Sequence, residues 1–248
     1  MILAIDTSTA LTSVAVVEAG HVVAERIHLD ARRHAEVLAP MLRDVLQGIE
    51  PGAIAAVACG VGPGPYTGLR VGIASALAVG AAWGVPVHGL CSLDALAAAL
   101  LVEADHVNGL RVATDARRRE IYWARYDAGG RRLEGPLVSR PDDLDDIARR
   151  GPWAGHGAVV HRDDLREVVD SAESPESDTS SRLYPHACWV ARRVEALLAA
   201  GVTTAASAME LSAHGDDGAP TSAALLGVDL LPARPLYLRR PDAAEPKR

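Results

Sequence analysis

The residues able to do chemistry fall into a few short segments. Asp6-Thr7-Ser8-Thr9 offers a carboxylate and three hydroxyls at the end of an apolar run. In a tight turn these groups and the backbone amides could face an anion, with Asp6, Thr7 and Ser8 as binding candidates and Asp6 placed to hold a metal or water; an Asx or Ser/Thr turn closing a hairpin is the simpler reading. Residues 60–68, Gly-Val-Gly-Pro-Gly-Pro-Tyr-Thr-Gly, form a second candidate. Amides near Gly62 and Gly64 could cradle a phosphate and Thr67 could cap the following helix, whose dipole favours anions. No lysine makes a P-loop there and no window spells GxGxxG, so the glycines are read alternatively as points of close backbone approach. Histidines at 21, 28, 34, 88, 106, 156, 161, 186 and 214 include no pair three or four apart, so no helix presents two imidazoles to one ion and no metal site is expected. His34 and Glu36 are read as helix-start residues, and Asp94 after Ser92 as a cap. Asp115-Ala116-Arg117-Arg118-Arg119-Glu120 is a charged turn suited to an anionic partner, to RNA, or to solvation of a turn tip.

The elements that must position these groups can be read from periodicity. Residues 2–6, 12–18 and 21–29 read as strands, the last two joined by a two-residue turn and therefore antiparallel. Between 34 and 49, Val37, Leu38, Met41, Leu42, Val45, Leu46 and Ile49 recur on one helical face. A strand over 54–59, the Gly/Pro loop, a small-residue helix over 69–83, a strand over 85–90 and a helix over 93–102 complete a β-β-β-α-β-α-β-α half. After Asn108-Gly109 the pattern restarts with strands over 110–113, 121–126 and 133–138, then helices over 141–149 and 185–200. The expected division is 1–107 and 108–248, the second half a smaller copy with mobile loops near 171–182 and 203–232.

Composition narrows the class. The chain has 248 residues, 49% hydrophobic, with 25 basic and 32 acidic side chains and a net charge of -7. That is enough apolar material for one domain or two small ones and excludes wholesale disorder. Phe is absent and aromatics make up 4%, so small aliphatics must fill the core. The acidic balance argues against a dedicated nucleic-acid binder. Cys59, Cys91 and Cys188 make no CxxC and read as reduced, buried thiols. No basic leader precedes the N-terminal apolar stretch, which Asp6 interrupts, and a cytoplasmic protein is expected. Residues 71–93 carry no Asp, Glu, Lys or Arg, but Gly84-Val85-Pro86 breaks them into a buried helix and a strand rather than a membrane span.

In this order the segments resemble the bacterial TsaB (YeaZ) family, which acts with TsaD in making threonylcarbamoyladenosine beside the tRNA anticodon. The resemblance is carried by Ile5-Asp6-Thr7-Ser8-Thr9, Arg33-His34-Ala35-Glu36, Gly62-Pro63-Gly64-Pro65-Tyr66-Thr67-Gly68-Leu69-Arg70-Val71-Gly72, Ser92-Leu93-Asp94-Ala95-Leu96-Ala97, Asp115-Ala116-Arg117-Arg118-Arg119-Glu120-Ile121-Tyr122 and Pro235-Leu236-Tyr237-Leu238-Arg239. It is dense in the N-terminal half and sparse in the C-terminal half. The resemblance implies an α/β chain with an actin-like ATPase (ribonuclease H-like) fold of two related lobes, the second reduced. It also implies a noncatalytic relative of TsaD with no cofactor, since 88–94 lacks the histidine pair that holds TsaD's metal.

Further implications concern partners. The family pairs with a TsaD-like transferase through helices of the first lobe, here Val37, Leu38, Met41, Leu42 and Val45 on one helix and Leu69, Val71, Ile73, Ala76, Leu77 and Gly80 on the next. A TsaE-like ATPase in the larger complex, a homodimer when alone and an indirect or minor tRNA contact follow from the same likeness, with no membrane role. Pro65-Tyr66 stands where the family usually has Ser-Phe, removing a hydroxyl and an amide donor from the loop. Rival readings are an actin-like ATPase or kinase, a metal-dependent hydrolase, or a homodimeric scaffold for another partner.

Overall fold

The computed structural model describes residues 1–103, 109–149, 151–165, 167–168, 180–204 and 230–238. The first sheet contains β1 (Ile2–Asp6), β2 (Leu11–Glu18), β3 (His21–Leu29), β4 (Ala56–Gly60) and β5 (Val87–Leu90), in spatial order β3-β2-β1-β4-β5. β1, β2 and β3 form an antiparallel meander, while β4 and β5 join β1 in parallel through helical crossovers. The second sheet, β6 (Leu110–Arg117), β7 (Glu120–Tyr126), β8 (Arg132–Ser139) and β9 (Trp153–Ala154), has the order β8-β7-β6-β9. Again there is an antiparallel meander, with β9 added parallel to β6. The second sheet thus repeats the first without its fifth strand, giving the ribonuclease H-like, actin-like fold.

The helices are α1 (His34–Val45), α2 (Tyr66–Trp83), α3 (Ser92–Glu103), α4 (Asp146–Arg149), α5 (His156–Val160), α6 (Ser180–Leu183) and α7 (Ala187–Ala199). Alternation along the strands divides the first lobe's core. Leu3 and Ile5 of β1 and Val14 and Val16 of β2 pack toward α1 and α2, against Leu38, Met41, Leu69 and Ile73. Ile2, Ala4, Ala15 and Val17 point the other way, onto Val190, Ala191 and Val194 of α7. Helix α7 therefore returns from the second half of the sequence to cover the first sheet. Because both faces are buried, β1 is apolar at every position but its last, Asp6. The second lobe has its own cluster, in which Trp123 and Trp153 lie 5.5 Å apart.

Element ends depart from the periodicity where turn chemistry intervenes. α1 stops at Val45, short of residue 49, and Gly48 follows at φ +79°. α2 begins three residues earlier than position 69, with Pro65 at the N-cap, and ends at Gly84, φ +67°, whose N–H bonds the Gly80 carbonyl. β5 begins at Val87 because Pro86 has no N–H for the ladder, though its carbonyl accepts from Val57. The helix expected over 141–149 is instead a 3-10 turn at Pro141–Asp143 followed by α4, since the Asp145 carboxylate caps the Ala148 N–H at 2.6 Å. Residues 180–182 of the expected loop are helical, while the rest of that loop and 205–229 lie outside the described residues. No helix among the described residues is long and apolar enough to cross a membrane.

Candidate functional site

The turn after β1 is spent on internal bonding. Asp6 is fully buried; its Oδ1 accepts from the Ser8 amide at 2.8 Å and the Ser8 hydroxyl at 2.7 Å, and its Oδ2 accepts from Ser92 Oγ at 2.7 Å. Burial pushes the Asp6 carboxyl above its ordinary range, against the opposing pull of the Ser8 and Ser92 hydrogen bonds. Thr7 Oγ1 donates to the Gly68 carbonyl at 2.7 Å and accepts from the Gly72 amide at 3.1 Å. These groups weld β1 to the loop and to α2 and do not face an open anion site.

The glycines explain how so close a weld is possible. A Cβ at Gly60 would collide with the Asp6 carboxylate, at Gly64 with the Ser8 carbonyl, at Gly68 with the Thr7 carbonyl and at Gly72 with the Thr7 hydroxyl. Spaced four apart, these glycines line one seam of close backbone approach. Gly62 differs, needing glycine for its φ of +101°. Thr67 does not cap α2; Pro65 occupies that position, and no side chain caps the helix. From the far end of the chain, Tyr237 stacks on Tyr66 at 4.9 Å, and the Leu236 amide bonds the Val61 carbonyl at 2.8 Å. The closing motif thereby clamps the loop, a link that no local sequence signal reveals.

Two other start-of-helix residues do more than the sequence suggested. His34 is buried with Nδ1 2.7 Å from Thr12 Oγ1, which ties α1 to β2, and burial holds its pKa below the usual histidine value. Asp94 bridges the lobes, accepting from the Tyr126 hydroxyl at 2.7 Å and pairing with Arg132 at 3.3 Å. Both charged side chains are nearly inaccessible, 9% and 5% exposed.

The second lobe's equivalent turn, between β6 and β7, is built differently. Asp115 Oδ1 accepts the Arg117 amide at 2.8 Å and Oδ2 lies 3.5 Å from the Arg117 guanidinium. Arg117, Arg118 and Arg119 all have positive φ, 64°, 56° and 61°. Between this turn and the 6–9 turn is a cavity of about 370 Å³, bounded by Thr9, Arg32, His34, Thr67, Thr114 and Arg117 among others. His156, stacked on Tyr184 at 5.0 Å, completes its wall. Of Asp6, Thr7, Ser8, Gly62, Gly64 and Thr67, only Thr67 lines this cavity, opposite Asp115 and Arg117 of the charged turn. Thr114, His156 and Tyr184 had no motif to mark them.

One group among the described residues has the donor types for a metal: Glu25, His186 and Cys188, with ligand atoms within 4.8 Å of one another. Histidine spacing missed it because Glu25 comes from β3 and the others from the start of α7. Glu25 is already engaged there, 3.5 Å from His186 Nδ1 and hydrogen-bonded to Cys188. Burial pushes the Cys188 thiol well up, which opposes the thiolate that coordination needs.

The candidate interface residues divide by face. Leu38, Met41, Val45, Leu69, Ile73, Ala76 and Gly80 are buried in the chain's own fold, so these side chains are not on the surface. Val37, Leu42 and Val71 are half-buried and Leu77 is 46% exposed, beside exposed Ala74, Ala78 and Ala81.

Comparison with known proteins agrees with this geometry. The family model described as TsaD, tRNA N6-adenosine threonylcarbamoyltransferase, matches residues 21–161. An uncharacterized protein of Mycobacterium tuberculosis is 45% identical over 151 residues, 58% of this chain and 67% of that one. The TsaB tRNA threonylcarbamoyladenosine biosynthesis protein of Escherichia coli is 41% identical over 132 residues, 50% of this chain and 54% of its own length. The match thus spans about half of the Escherichia coli relative and 40% of a Mycobacterium leprae relative that is 46% identical. Among solved structures, YeaZ from Pseudomonas aeruginosa superposes with a TM-score of 0.67 at 30% identity, covering 81% of this chain and 92% of that one. With its two-lobed fold, glycine seam and these relatives, the chain belongs to the TsaB (YeaZ) family.

Proposed function

We propose that the chain is a noncatalytic binding and activating subunit for a TsaD-like transferase, in the complex that places a threonylcarbamoyl group on the adenosine next to the tRNA anticodon. The observation that carries this reading is the outer face of α2. There Ala74, Ala78 and Ala81 flank exposed Leu77, and α1, which packs on α2, carries half-buried Val37 and Leu42. Small side chains let a partner helix approach closely, and a leucine among them supplies apolar area to bury. The polar groups of the 6–9 turn support the same role, since a buried, fully engaged Asp6 holds the lobe's shape. In this reading the first lobe recruits the transferase, a TsaE-like ATPase joins the larger complex, and the free chain self-associates through the same helices. With a net charge of -7, the chain leaves most of the tRNA grip to its partner and works in the cytoplasm.

Reconstituted threonylcarbamoylation of tRNA with the cognate transferase, with and without this chain, tests the proposal. Product formation that requires the chain supports it. Product at the same rate without it overturns it.

A further inference from the structure

A set of chemically capable side chains lies on the opposite face of the first sheet from α1 and α2. Register pairs Glu25 of β3 with Ala15 of β2, and Ala15 packs onto α7. The Glu25 carboxylate therefore projects on the α7 side of the sheet. There it meets the start of α7, where His186 is the N-cap and Cys188 the second helical residue. Glu25 Oε1 lies 3.5 Å from His186 Nδ1, and the carboxylate accepts a hydrogen bond from the Cys188 thiol. All three donor atoms fall within 4.8 Å of one another. Ser13 fixes this corner, since its hydroxyl accepts the Ala187 amide at 2.8 Å and donates to Glu25 Oε1 at 3.5 Å.

Distances and donor types point to one class of ion. Tetrahedral zinc, with bonds of ~2.0–2.3 Å, holds its donors roughly 3.3–3.6 Å apart. The oxygen–nitrogen edge of this group is already 3.5 Å. A thiol, an imidazole and a carboxylate make a mixed sulfur, nitrogen and oxygen set that suits zinc, whereas calcium and magnesium take oxygen ligands. The group is also open on one side. His186 and Cys188 are 3% and 5% exposed, but Glu25 is 25% exposed. An ion can enter past the carboxylate and keep water as its fourth ligand.

We propose that Glu25, His186 and Cys188 form a zinc site, three protein ligands and one water, that pins the edge strand β3 to the start of α7. Binding forms a zinc–sulfur bond and releases the Cys188 proton to solvent, with no change of oxidation state. Burial favours the protonated thiol, which sets the cost of that step. Two features offset it. One is the double positive charge of the ion; the other is the place of Cys188 in the first turn of a 13-residue helix, whose dipole favours a thiolate. The other free thiols, Cys59 and Cys91, are wholly inaccessible, and among the described residues no other group has such a donor set. The site lies across the sheet from α1 and α2, so it is testable without a partner protein.

The test uses the full chain without a histidine tag, stripped of metal, reduced, and titrated first with cobalt(II) and then with zinc in competition. A sulfur-to-cobalt charge-transfer absorption reports a thiolate ligand. It should saturate at one cobalt per chain, disappear as zinc is added, and be absent from Cys188→Ala. Glu25→Gln and His186→Gln should each weaken zinc binding by more than about tenfold, the least that losing even an outer-shell partner costs. Zinc should raise the melting temperature of the wild type and leave that of Glu25→Gln nearly unchanged. Glu25→Gln, on the exposed side of the group, keeps the test decisive even where Cys188→Ala does not fold. No charge-transfer absorption in the wild type, absorption that survives Cys188→Ala, or zinc affinity indifferent to Glu25→Gln would each overturn the proposal and leave a hydrogen-bonded triad only.

Discussion

The two lobes carry the same strand order with opposite chemistry at the corresponding turn. In the first, the hairpin after β1 reads Asp-Thr-Ser-Thr and is buried, its carboxylate closed off by Ser8 and Ser92. In the second, the hairpin after β6 reads Asp-Ala-Arg-Arg-Arg-Glu and is exposed at its three arginines. Glycine seams recur in both, since Gly157 approaches the Thr114 backbone much as Gly64 approaches Ser8. What differs is the helix behind the seam, 18 residues in α2 against five in α5. The first lobe thus backs its turn with a long helix, and the second backs a charged turn with a short one.

Cutting the join between the lobes should have the largest effect. Asp94→Ala leaves the nearly inaccessible Arg132 without this carboxylate and Tyr126 without its acceptor. It should cost about 3–5 kcal/mol, read from denaturant unfolding, and a loss under 1 kcal/mol would mean the lobes are joined by other contacts. Next, Gly64→Ala should cost about 3 kcal/mol by overpacking against the Ser8 backbone. Gly157→Ala in the shorter α5 should cost less, because five residues can shift more readily than eighteen. Equal losses would say that the two seams are equally rigid. Smaller again, Asp115→Ala removes the acceptor for the Arg117 amide and should cost about 1 kcal/mol.

The pH dependence should separate the lobe's buried groups by sign. The Asp6 carboxyl is raised above 3.8, so the folded chain holds its proton more tightly than the unfolded one. Its contribution is fully present below 3.8 and is lost as pH rises through the folded value. His34, His88 and His156 are lowered from 6.5 by burial, so their contribution is present above 6.5 and is lost as pH falls toward their folded values. Urea midpoints measured from pH 4 to 8 should therefore lose a stabilising acid-side component in Asp6→Asn. The fall just below pH 6.5 should shrink in His34→Gln relative to wild type; unchanged profiles would contradict the assignments.

Much of this arrangement was legible in the sequence, and the exceptions share a physical cause. Short apolar and β-branched runs bounded by turns marked β1 to β3 and the helical period marked α1, because those patterns are local. The repeat was also visible, since each half opens with a strand meander. Apolarity alone did not say which residues of α2 face out: Ala76 and Leu77 are adjacent, yet the first is fully buried and the second 46% exposed. On a helix of small residues, the direction is set by what packs beneath, here Thr7 against Gly68 and Gly72. The Tyr66–Tyr237 stack and the Glu25, His186 and Cys188 group were hidden for the same reason, since their members meet only after the chain has folded.

The most direct test of the account uses Leu77, the exposed member of the candidate interface residues on α1 and α2. The chain and its cognate TsaD-like transferase are mixed, and mass is measured by size-exclusion chromatography with light scattering, for wild type and for Leu77→Glu. Wild type should form a heterodimer; Leu77→Glu should melt at the wild-type temperature yet fail to join the transferase. A heterodimer formed equally well by Leu77→Glu, or none formed by wild type, would contradict the claim that this helix face recruits the transferase.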